Sequence, residues 1–563
     1  MPAKLSVTSA LSALPAVRQD RGLVLGSGLI ALFVAMPILA LLVMAVSGDL
    51  ESLHRLSATI LPKASMTTIL LLAGLAVFAG SIGAISAWLV SFFEFPGRRI
   101  FIWALMLPLA VPTYISAYAF TEFFTFTGPV QTLVRTMGGF TSSRDYWFPE
   151  IRSLWGAVFV LSLVLYPYVF LSVRAIFFVQ GKRAIEAGLL LGANQGRILT
   201  HILLPLARPA LALGIILAMM EAINDIGAME YLGVQTLTFS IFSIWVNQGD
   251  MAGSAQLALI LLFLVLALIA GERLARGRQR FSEVGSSATI RFERIKLSGA
   301  RAGLAFILCF APVGLGFGVP FVILSGYASR YVFAGFDPRL LDALATSLML
   351  ALIAALVTVA LALLLSYAVR VRHTRFMNFL VRFASVGYAM PGTIIALGIF
   401  LPIAAFDNFV DARMREVFGL STGLLLTGSG ATLVFAYVVR FMAVAEGSID
   451  AGFKKISPNL DDAARNFGYS RWQIFRQILL PMMRPAIATA ALLVFIDALK
   501  ELSATLVLRP FGIETTAIYI HDLASRGRIE QAGLASLLLV VAGIVPVIIL
   551  TRTLLKERPG TAR

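Results

Sequence analysis

The chain has 563 residues, of which 59% are apolar and 13% are charged. Soluble domains are about 45–50% apolar and about 25% charged, so this composition excludes an ordinary soluble protein and equally a disordered one. A net charge of +16 suggests nucleic acid only if the chain is soluble. In a membrane protein the excess of Lys and Arg collects in cytoplasmic loops, so we expect a lipid membrane and no nucleic acid as partner.

Twelve apolar stretches are long enough to cross a bilayer, which requires about 20 helical residues for a hydrocarbon core of about 30 Å. Their approximate ranges are 23–47, 67–90, 101–120, 153–173, 209–230, 255–271, 302–325, 343–369, 383–403, 429–447, 485–507 and 532–551. Only helices satisfy their own backbone polar groups inside lipid without closing into a barrel. The sequence therefore predicts an all-α, polytopic membrane protein with about twelve transmembrane helices.

The basic residues predict how these helices are oriented. If the N-terminus lies in the cytoplasm, most of the 46 Lys and Arg residues fall in cytoplasmic segments, as the positive-inside rule requires. We therefore expect both termini in the cytoplasm. The first stretch is too long for a signal-peptide core and is interpreted as an uncleaved span. Arg440 and Glu446, near the inner end of the tenth stretch, are expected to snorkel to the interface.

An internal repeat relates two polar loops, 186–210 and 462–486, which align without a gap at an offset of 276 residues. Composition alone explains matched Leu and Ala, but it does not place Gly192/Gly468 and Pro205/Pro481 in register. The sequence therefore predicts two homologous six-helix halves in parallel orientation. We expect a first permease domain at 1–275, a basic cytoplasmic linker at 276–301 and a second permease domain at 302–563.

Each repeated loop begins with an acidic residue and small residues, continues through a glycine and reaches Pro205 or Pro481. Glycine favours a turn, and proline interrupts what precedes it, so we expect a short helix, a turn and then a membrane span. Such a helix on the cytoplasmic face could transmit force from a soluble partner. It could equally be an interfacial helix that only anchors the loop.

The loops resemble the Glu-Ala-Ala motif of binding-protein-dependent ABC importer permeases of type I. The motif residues are Glu186, Ala187, Gly188, Gly192 and Pro205 in the first copy, and Asp462, Ala463, Ala464, Gly468 and Pro481 in the second. Gly188 replaces the second alanine and Asp462 replaces the glutamate. The resemblance implies the type I permease fold, with each loop helix acting as a coupling helix that docks on an ATP-binding subunit.

By the same resemblance, the partners are two copies of an ABC ATPase at the cytoplasmic face and a periplasmic substrate-binding protein. The location implied is the bacterial inner membrane. The sequence contains no G-x-x-x-x-G-K-[ST] phosphate loop, so we expect ATP and Mg²⁺ on the partner ATPase and no cofactor or enzymatic activity on this chain.

The segment from Lys500 to Gly512 most resembles the fused-duplicate ferric iron permeases, with Ser503 in place of a proline. Ferric iron is therefore the expected substrate. The resemblance leaves thiamine and phosphonate permeases as alternatives. An ion-coupled secondary transporter is a third possibility, although it does not account for duplicated cytoplasmic loops.

Four acidic residues follow the coupling loops at membrane depth, where ionisable groups are costly and are functional candidates. Glu221 and Asp225 correspond, at the offset of 276, to Asp497 and Glu501, and each pair is spaced i, i+4 as on one helix face. One interpretation is that they line the outer part of the pathway and attract a multivalent cation. The other is that they pair with Lys500 or cap a broken span. The sequence specifies no metal ligands.

Overall fold

The computed structural model describes residues 14–48, 50–177, 192, 195–276, 294–331 and 337–556. Within these residues the protein is almost entirely helical. The exception is a two-residue parallel pairing of β1 with β2, in which Phe93 faces Ile295 and Glu94 faces Lys296. An all-α fold is what the apolar stretches predict, because lipid offers the backbone no hydrogen-bond partner.

The first half of the chain contains eleven described helices before the linker. With the strand β1 (Phe93–Glu94), the elements are α1 (Leu14–Ser47), α2 (Leu50–Phe92), α3 (Arg98–Ala104), α4 (Thr113–Phe124), α5 (Pro129–Gly138), α6 (Leu154–Ile176), α7 (Gln195–Ile198), α8 (Leu204–Asn224), α9 (Ile226–Tyr231), α10 (Leu237–Gln248) and α11 (Met251–Arg276). A 3₁₀ turn at Leu107–Ala110 follows α3, and a π-helical turn at Leu199–Leu203 joins α7 to α8.

The second half contains twelve more described helices. The elements are β2 (Ile295–Lys296), α12 (Gly299–Val313), α13 (Val319–Tyr331), α14 (Pro338–Val371), α15 (Arg375–Ala384), α16 (Gly392–Phe418), α17 (Ala431–Lys454), α18 (Asn459–Asn466), α19 (Arg471–Gln473), α20 (Leu480–Leu499), α21 (Ser503–Leu508), α22 (Thr516–Ser525) and α23 (Ile529–Lys556). π-helical turns at Gly314–Gly318 and Ile474–Leu479 and a 3₁₀ turn at Val386–Ala389 connect some of them.

Ten helical segments in the described part of the chain are long and apolar enough to cross a membrane. The third of the twelve stretches differs, because Arg98–Ala110 and Thr113–Gly138 meet at a bend of 94° and count as an eleventh span only when joined. Pro112 stands at this bend as the residue before α4. The twelfth stretch lies on a shorter apolar segment, Ile529–Ile544. The polytopic fold is confirmed, with ten or eleven spans by this measure rather than twelve.

The described helices form two compact units. One contains α1 together with α14 through α21, and the other contains α2 through α13 with residues 518–544. Each unit thus combines helices from both halves of the repeat, because the first helix of each half packs in the unit of the other half. These units are defined by spatial contact, whereas the domain boundaries 1–275, 276–301 and 302–563 follow from the sequence repeat. Those boundaries therefore remain a prediction.

The unit containing α2 through α13 is organised around α6, which packs against both α2 and α8. Close approach explains a glycine on α8: a Cβ at Gly214 would lie 2.5 Å from the Cα of Val169. Small residues are typical of helix contacts in membranes because they allow backbones to approach. In the other unit α17 packs against α20, and α16 packs against α21.

Candidate functional site

The second repeated loop forms the predicted short helix. α18 contains Asp462, Ala463 and Ala464, and two acidic residues, Asp461 and Asp462, occupy its first turn. Negative side chains are favourable there because the helix dipole places partial positive charge at the N-terminus. The carboxylate of Asp462 is largely exposed, and Ala464 is buried. The acidic residues therefore lie at the start of the helix, and of the two alanines Ala464 packs inward while Ala463 is exposed.

A glycine turn ends this helix and redirects the chain. Gly468 adopts φ of +83°, a left-handed conformation that is costly for residues with a Cβ. After it, Ser470 and Gln473 form a capping box, in which each side chain accepts a hydrogen bond from the backbone N–H of the other residue. A π-helical turn then leads into α20, where Pro481 occupies the first turn. Helix, glycine turn and proline-started span follow one another as the sequence predicts.

Part of the first repeated loop, including Glu186, Ala187 and Gly188, lies outside the described residues. Gly192 is described, and its φ of +77° matches that of Gly468. Pro205 lies in the first turn of α8, as Pro481 does in α20. The two copies therefore share the backbone conformation of the glycine and the position of the proline.

Exposed aromatic side chains that were not predicted from the sequence surround the glycine turn of the second loop. Phe467 is 83% exposed, Trp472 is 64% exposed and Tyr469 is 41% exposed. They flank Gly468, which lies beyond the ends of the neighbouring spans. Exposed aromatic side chains are characteristic of protein interfaces, where they bury a large area at low entropic cost. The signal available in the sequence was their position beside the motif glycine.

The two acids of each pair do not lie on one continuous helix. α8 ends at Asn224, and Asp225 caps α9 by accepting a hydrogen bond of 2.9 Å from the backbone N–H of Ala228. α20 ends at Leu499, and Glu501 likewise accepts from the backbone N–H of Ala504, at 3.0 Å. The prediction that each i, i+4 pair shares one helix face is therefore wrong, because the helix breaks between the two members.

Glu501 is held by a buried network that closes around its carboxylate. It also accepts hydrogen bonds from the backbone N–H of Thr505 at 3.1 Å and from the Thr505 hydroxyl at 2.8 Å. The guanidinium of Arg440, on α17, forms an ion pair with it at 2.8 Å. Tyr437 shares a hydrogen bond of 2.6 Å with the same threonine hydroxyl. Both carboxylate oxygens of Glu501 therefore accept hydrogen bonds, and Arg440 compensates their negative charge within the protein.

The position of Arg440 corrects the expectation that it snorkels to the interface. Its side chain is only 10% exposed because Glu501, from the end of α20, satisfies its charge inside the unit. A buried charge is tolerated when it is paired and hydrogen-bonded. The sequence could not show this partner, since the two residues are 61 positions apart.

Glu221 and Asp497 are half-buried on α8 and α20. Asp497 forms an ion pair of 3.0 Å with Lys500. The pairing and capping interpretation therefore describes the contacts of Asp225, Asp497 and Glu501. Among the residues the structure describes, no group of three or more His, Cys, Asp or Glu side chains is arranged to hold a metal ion.

Two comparisons with known proteins bear on this arrangement. A family model described as "Binding-protein-dependent transport system inner membrane component" matches the chain twice, at residues 76–276 and 358–557. The two matches confirm the internal duplication, and each covers one repeated loop together with the acids that follow it.

Three relatives extend the comparison. The Fe(3+)-transport system permease protein FbpB 2 of Haemophilus influenzae is 25% identical over 93% of this chain and 96% of its own length. A putative ferric transport system permease protein, FbpB 1 of the same organism, is 23% identical over 75% of this chain and 66% of its own. The sulfate transport system permease protein CysW of Escherichia coli is 31% identical over 26% of this chain and 48% of its own.

The family model covers well over half of the chain, and many apolar helices accompany it. The protein is therefore a multi-pass inner membrane protein and a transport component that works with an ATPase and a substrate-binding protein. This chain belongs to the family of binding-protein-dependent transport system inner membrane components and is a permease subunit of an ABC importer.

Proposed function

We propose that this permease imports ferric iron, delivered by a periplasmic binding protein and driven by two copies of a separate ATPase. The observation that carries the substrate is the similarity to the Fe(3+)-transport permease FbpB 2, which spans 93% of this chain and 96% of that protein. Similarity along both halves matters here, because a match confined to one loop would indicate only the ATPase-coupled class.

The proposed ATPase contact is formed by the two repeated loops, one for each copy of the ATPase. In the second loop, Phe467, Tyr469 and Trp472 provide exposed aromatic area next to α18. The matched glycine conformations at Gly192 and Gly468 support an equivalent role for the first loop, including Glu186, Ala187 and Gly188. Closure of the ATPase dimer would displace both coupling helices, and the chain leads from each glycine turn into α8 or α20.

ATP hydrolysis belongs to the partner in this proposal. The sequence lacks the phosphate loop that would hold ATP and Mg²⁺, so the chain contributes mechanical coupling and a pathway, without a cofactor of its own. The distribution of Lys and Arg supports an orientation with both termini in the cytoplasm, which places the two repeated loops on the side where ATP is available.

The pathway is proposed to involve Glu221, Asp225 and Asp497, with Glu501 acting as a positioning residue. Carboxylate oxygens are hard ligands that suit Fe³⁺ as the transported ion. The support is unequal among the four acids, because Glu501 is already saturated by Arg440 and by the start of α21. Glu221 and Asp497 are half-buried and so remain partly accessible.

The test is uptake by the reconstituted complex. The permease, its ATPase and its binding protein are placed in liposomes, and accumulation of ⁵⁵Fe supplied as the ferric-loaded binding protein is followed with and without ATP. We expect ATP-dependent iron uptake that requires the binding protein. Uptake of thiamine or of 2-aminoethylphosphonate in place of iron would overturn the substrate, while iron uptake driven by an ion gradient without ATP would overturn the coupling.

A second experiment tests whether the second coupling loop binds the ATPase. Phe467→Ser and Trp472→Ser remove the exposed aromatic area without touching the membrane spans, and they should reduce the amount of ATPase that co-purifies with the permease. Phe409→Ser, on the exposed surface of α16, is the matched control. Equal co-purification from all three variants would contradict docking at the second loop.

A further inference from the structure

Arg370, in the last turn of α14, is an arginine whose five N–H donors all have acceptors near the second coupling helix. Its Nε and Nη2 donate to the two carboxylate oxygens of Asp461 at 2.9 and 3.0 Å, which is the fork geometry of a bidentate pair. Nη1 donates to the backbone carbonyls of Phe453 at 3.0 Å and Ile456 at 3.1 Å. Nη2 also donates to the carbonyl of Ser457 at 3.2 Å.

These acceptors belong to two different elements. The carbonyls lie at the C-terminal end of α17 and just after it, where a helix carries partial negative charge, and Asp461 lies in the first turn of α18. The side chain of Arg370 is only 9% exposed, so these contacts are shielded from competing water. One residue of α14 therefore joins the end of α17 to the start of the coupling helix.

Tyr367, one turn earlier on α14, contacts the chain on the other side of that helix. Its hydroxyl donates to the backbone carbonyl of Arg471 at 3.1 Å, and its ring lies 4.6 Å from the ring of Phe475, measured between centroids. The ring of Trp472 stacks on Phe475 in turn, at 5.6 Å. α14 thus holds the segment before α18 through Arg370 and the segment after it through Tyr367.

The first half of the chain does not repeat the arginine. In this region the two halves align at an offset of 279 residues, as Pro112 and Pro391 show, and the residue that corresponds to Arg370 is Ser91. A serine has one short hydroxyl and cannot form a fork with a carboxylate. The arginine at this aligned position is therefore specific to the second half.

We infer that Tyr367 and Arg370 form a two-point bracket that makes α14 move together with the second coupling helix. This inference rests on the proposed role of the loop in docking the ATPase. Motion of α18 reaches α20 along the chain itself, and the bracket adds a second route, through side chains, into a 34-residue helix of the same compact unit. Arg370 and Tyr367 are positioning residues in this scheme, since they touch neither ATP nor substrate.

The experiment measures coupling in the full reconstituted complex, as iron transported per ATP hydrolysed. Arg370→Lys keeps the positive charge but offers three donors and no planar fork, and Asp461→Asn keeps the size of the acceptor while removing its charge. Each should lower the coupling ratio about tenfold, a loss within the usual range of coupling free energies, while the ATPase still co-purifies. Arg372→Lys, at an exposed residue just beyond the end of α14, is the control and should leave the ratio unchanged.

Tyr367→Phe is the milder second variant, because it removes one hydrogen bond and keeps the ring contact with Phe475. We expect a loss of coupling of about twofold, so the inference stays testable if the arginine variant folds poorly. A structural readout accompanies it. Spin labels at Arg372→Cys and Asn466→Cys, in a Cys309→Ser background, should keep one narrow distance distribution through the ATP cycle, which Arg370→Lys should broaden.

The outcomes separate the bracket from the coupling loop itself. Normal coupling in Arg370→Lys, together with uncoupling by a bulky residue at Gly468, would overturn the bracket and leave the loop assignment standing. Loss of the ATPase from the Arg370→Lys complex would also overturn it, because the arginine would then shape the docking surface. Normal coupling in the arginine and glycine variants alike would instead contradict the proposed function of the loop.

Discussion

The two helix breaks that follow the coupling loops each hold a carboxylate at the start of the next short helix, but their electrostatics differ. Asp225 is the N-cap of α9, Glu501 lies one residue before the N-cap of α21, and each accepts a hydrogen bond from the backbone N–H three residues ahead. Glu501 is also paired with Arg440 at 2.8 Å, whereas the residue at the offset of 276 from that arginine is Val164. No Lys or Arg of the described chain forms an ion pair with Asp225. The backbone feature was kept in both halves, and the compensating charge in only one.

The difference between the halves distinguishes the hydrogen bond that starts the helix after each break from the contribution of the buried charge. The first N–H groups of a helix require an acceptor, which Asp225 provides as the N-cap and Glu501 provides from the residue before the N-cap. A buried ion pair contributes little net stability, but removing one partner leaves an uncompensated charge that is costly. We therefore regard the cap as the shared structural function and the charge balance as the point at which the halves have diverged.

The largest expected effect is on the stability of the second half. Glu501→Gln keeps the size of the side chain but strands the Arg440 guanidinium, and it should lower the free energy of unfolding by about 3–5 kcal/mol. Thermal unfolding of the detergent-solubilised permease provides the measurement. The double variant Glu501→Gln with Arg440→Met should recover much of the loss, and a double variant no more stable than the single one would count against the ion pair as the cause.

The next effect concerns the glycine turns that the halves share. Gly468→Ala forces a Cβ into the left-handed region and should destabilise the turn by about 1–2 kcal/mol, with partial uncoupling of transport from ATP hydrolysis. Gly192→Ala is the matched variant in the first half, because its φ differs by only a few degrees. Comparing their coupling ratios tests whether the loops contribute equally, and unchanged ratios in both variants would be incompatible with either loop acting in coupling.

A smaller effect is expected at the capping box that follows the second glycine. Ser470→Ala removes the side-chain acceptor for the backbone N–H of Gln473 and should cost about 1 kcal/mol of local stability. Hydrogen exchange of residues 471–479 is the appropriate measurement, and it should speed up there without a change elsewhere. Ser470→Asp, which restores an acceptor, is the control. Unaltered exchange in the alanine variant would show that the adjoining aromatic contacts alone fix this turn.

The smallest change in stability is expected for Asp225→Asn, in contrast to its counterpart Glu501→Gln. Asparagine caps helices about as well as aspartate, and no ion pair in the described chain is broken, so the loss should be less than about 0.5 kcal/mol. Iron uptake should nevertheless fall if this carboxylate contributes to the pathway. Wild-type uptake by the asparagine variant would remove Asp225 from the pathway and leave it as a cap.

Part of this picture could be predicted from the sequence. The repeat brought Gly192 and Gly468 into register, and both adopt the left-handed conformation, which a residue without a Cβ takes at little steric cost. The acids were misplaced because an i, i+4 spacing indicates a shared face only along an unbroken helix. Neither Asn224 nor Lys500 indicates the end of a helix in the sequence, as a proline would.

The remaining differences depend on tertiary contacts that no local pattern encodes. Arg440 lies on an apolar helix, and only the fold reveals a carboxylate 61 residues away as its partner. Arg370 belongs to the same class, since its acceptors are mostly backbone carbonyls that any sequence would provide. The third span was predicted as one helix because hydropathy measures length and apolarity, and is insensitive to a bend at Pro112.

The pairing of Arg440 in one half with Val164 in the other has a consequence for how such a permease can be assembled. A transporter made of two identical subunits is constrained by its two-fold axis, so an arginine at this position would occur in both copies or in neither. Joining the halves in one polypeptide removes that constraint. The chain can then carry an ion-paired acid at the break on one side and, on the other, an acid without an ion pair among the described residues, an arrangement that no homodimer of either half could reproduce.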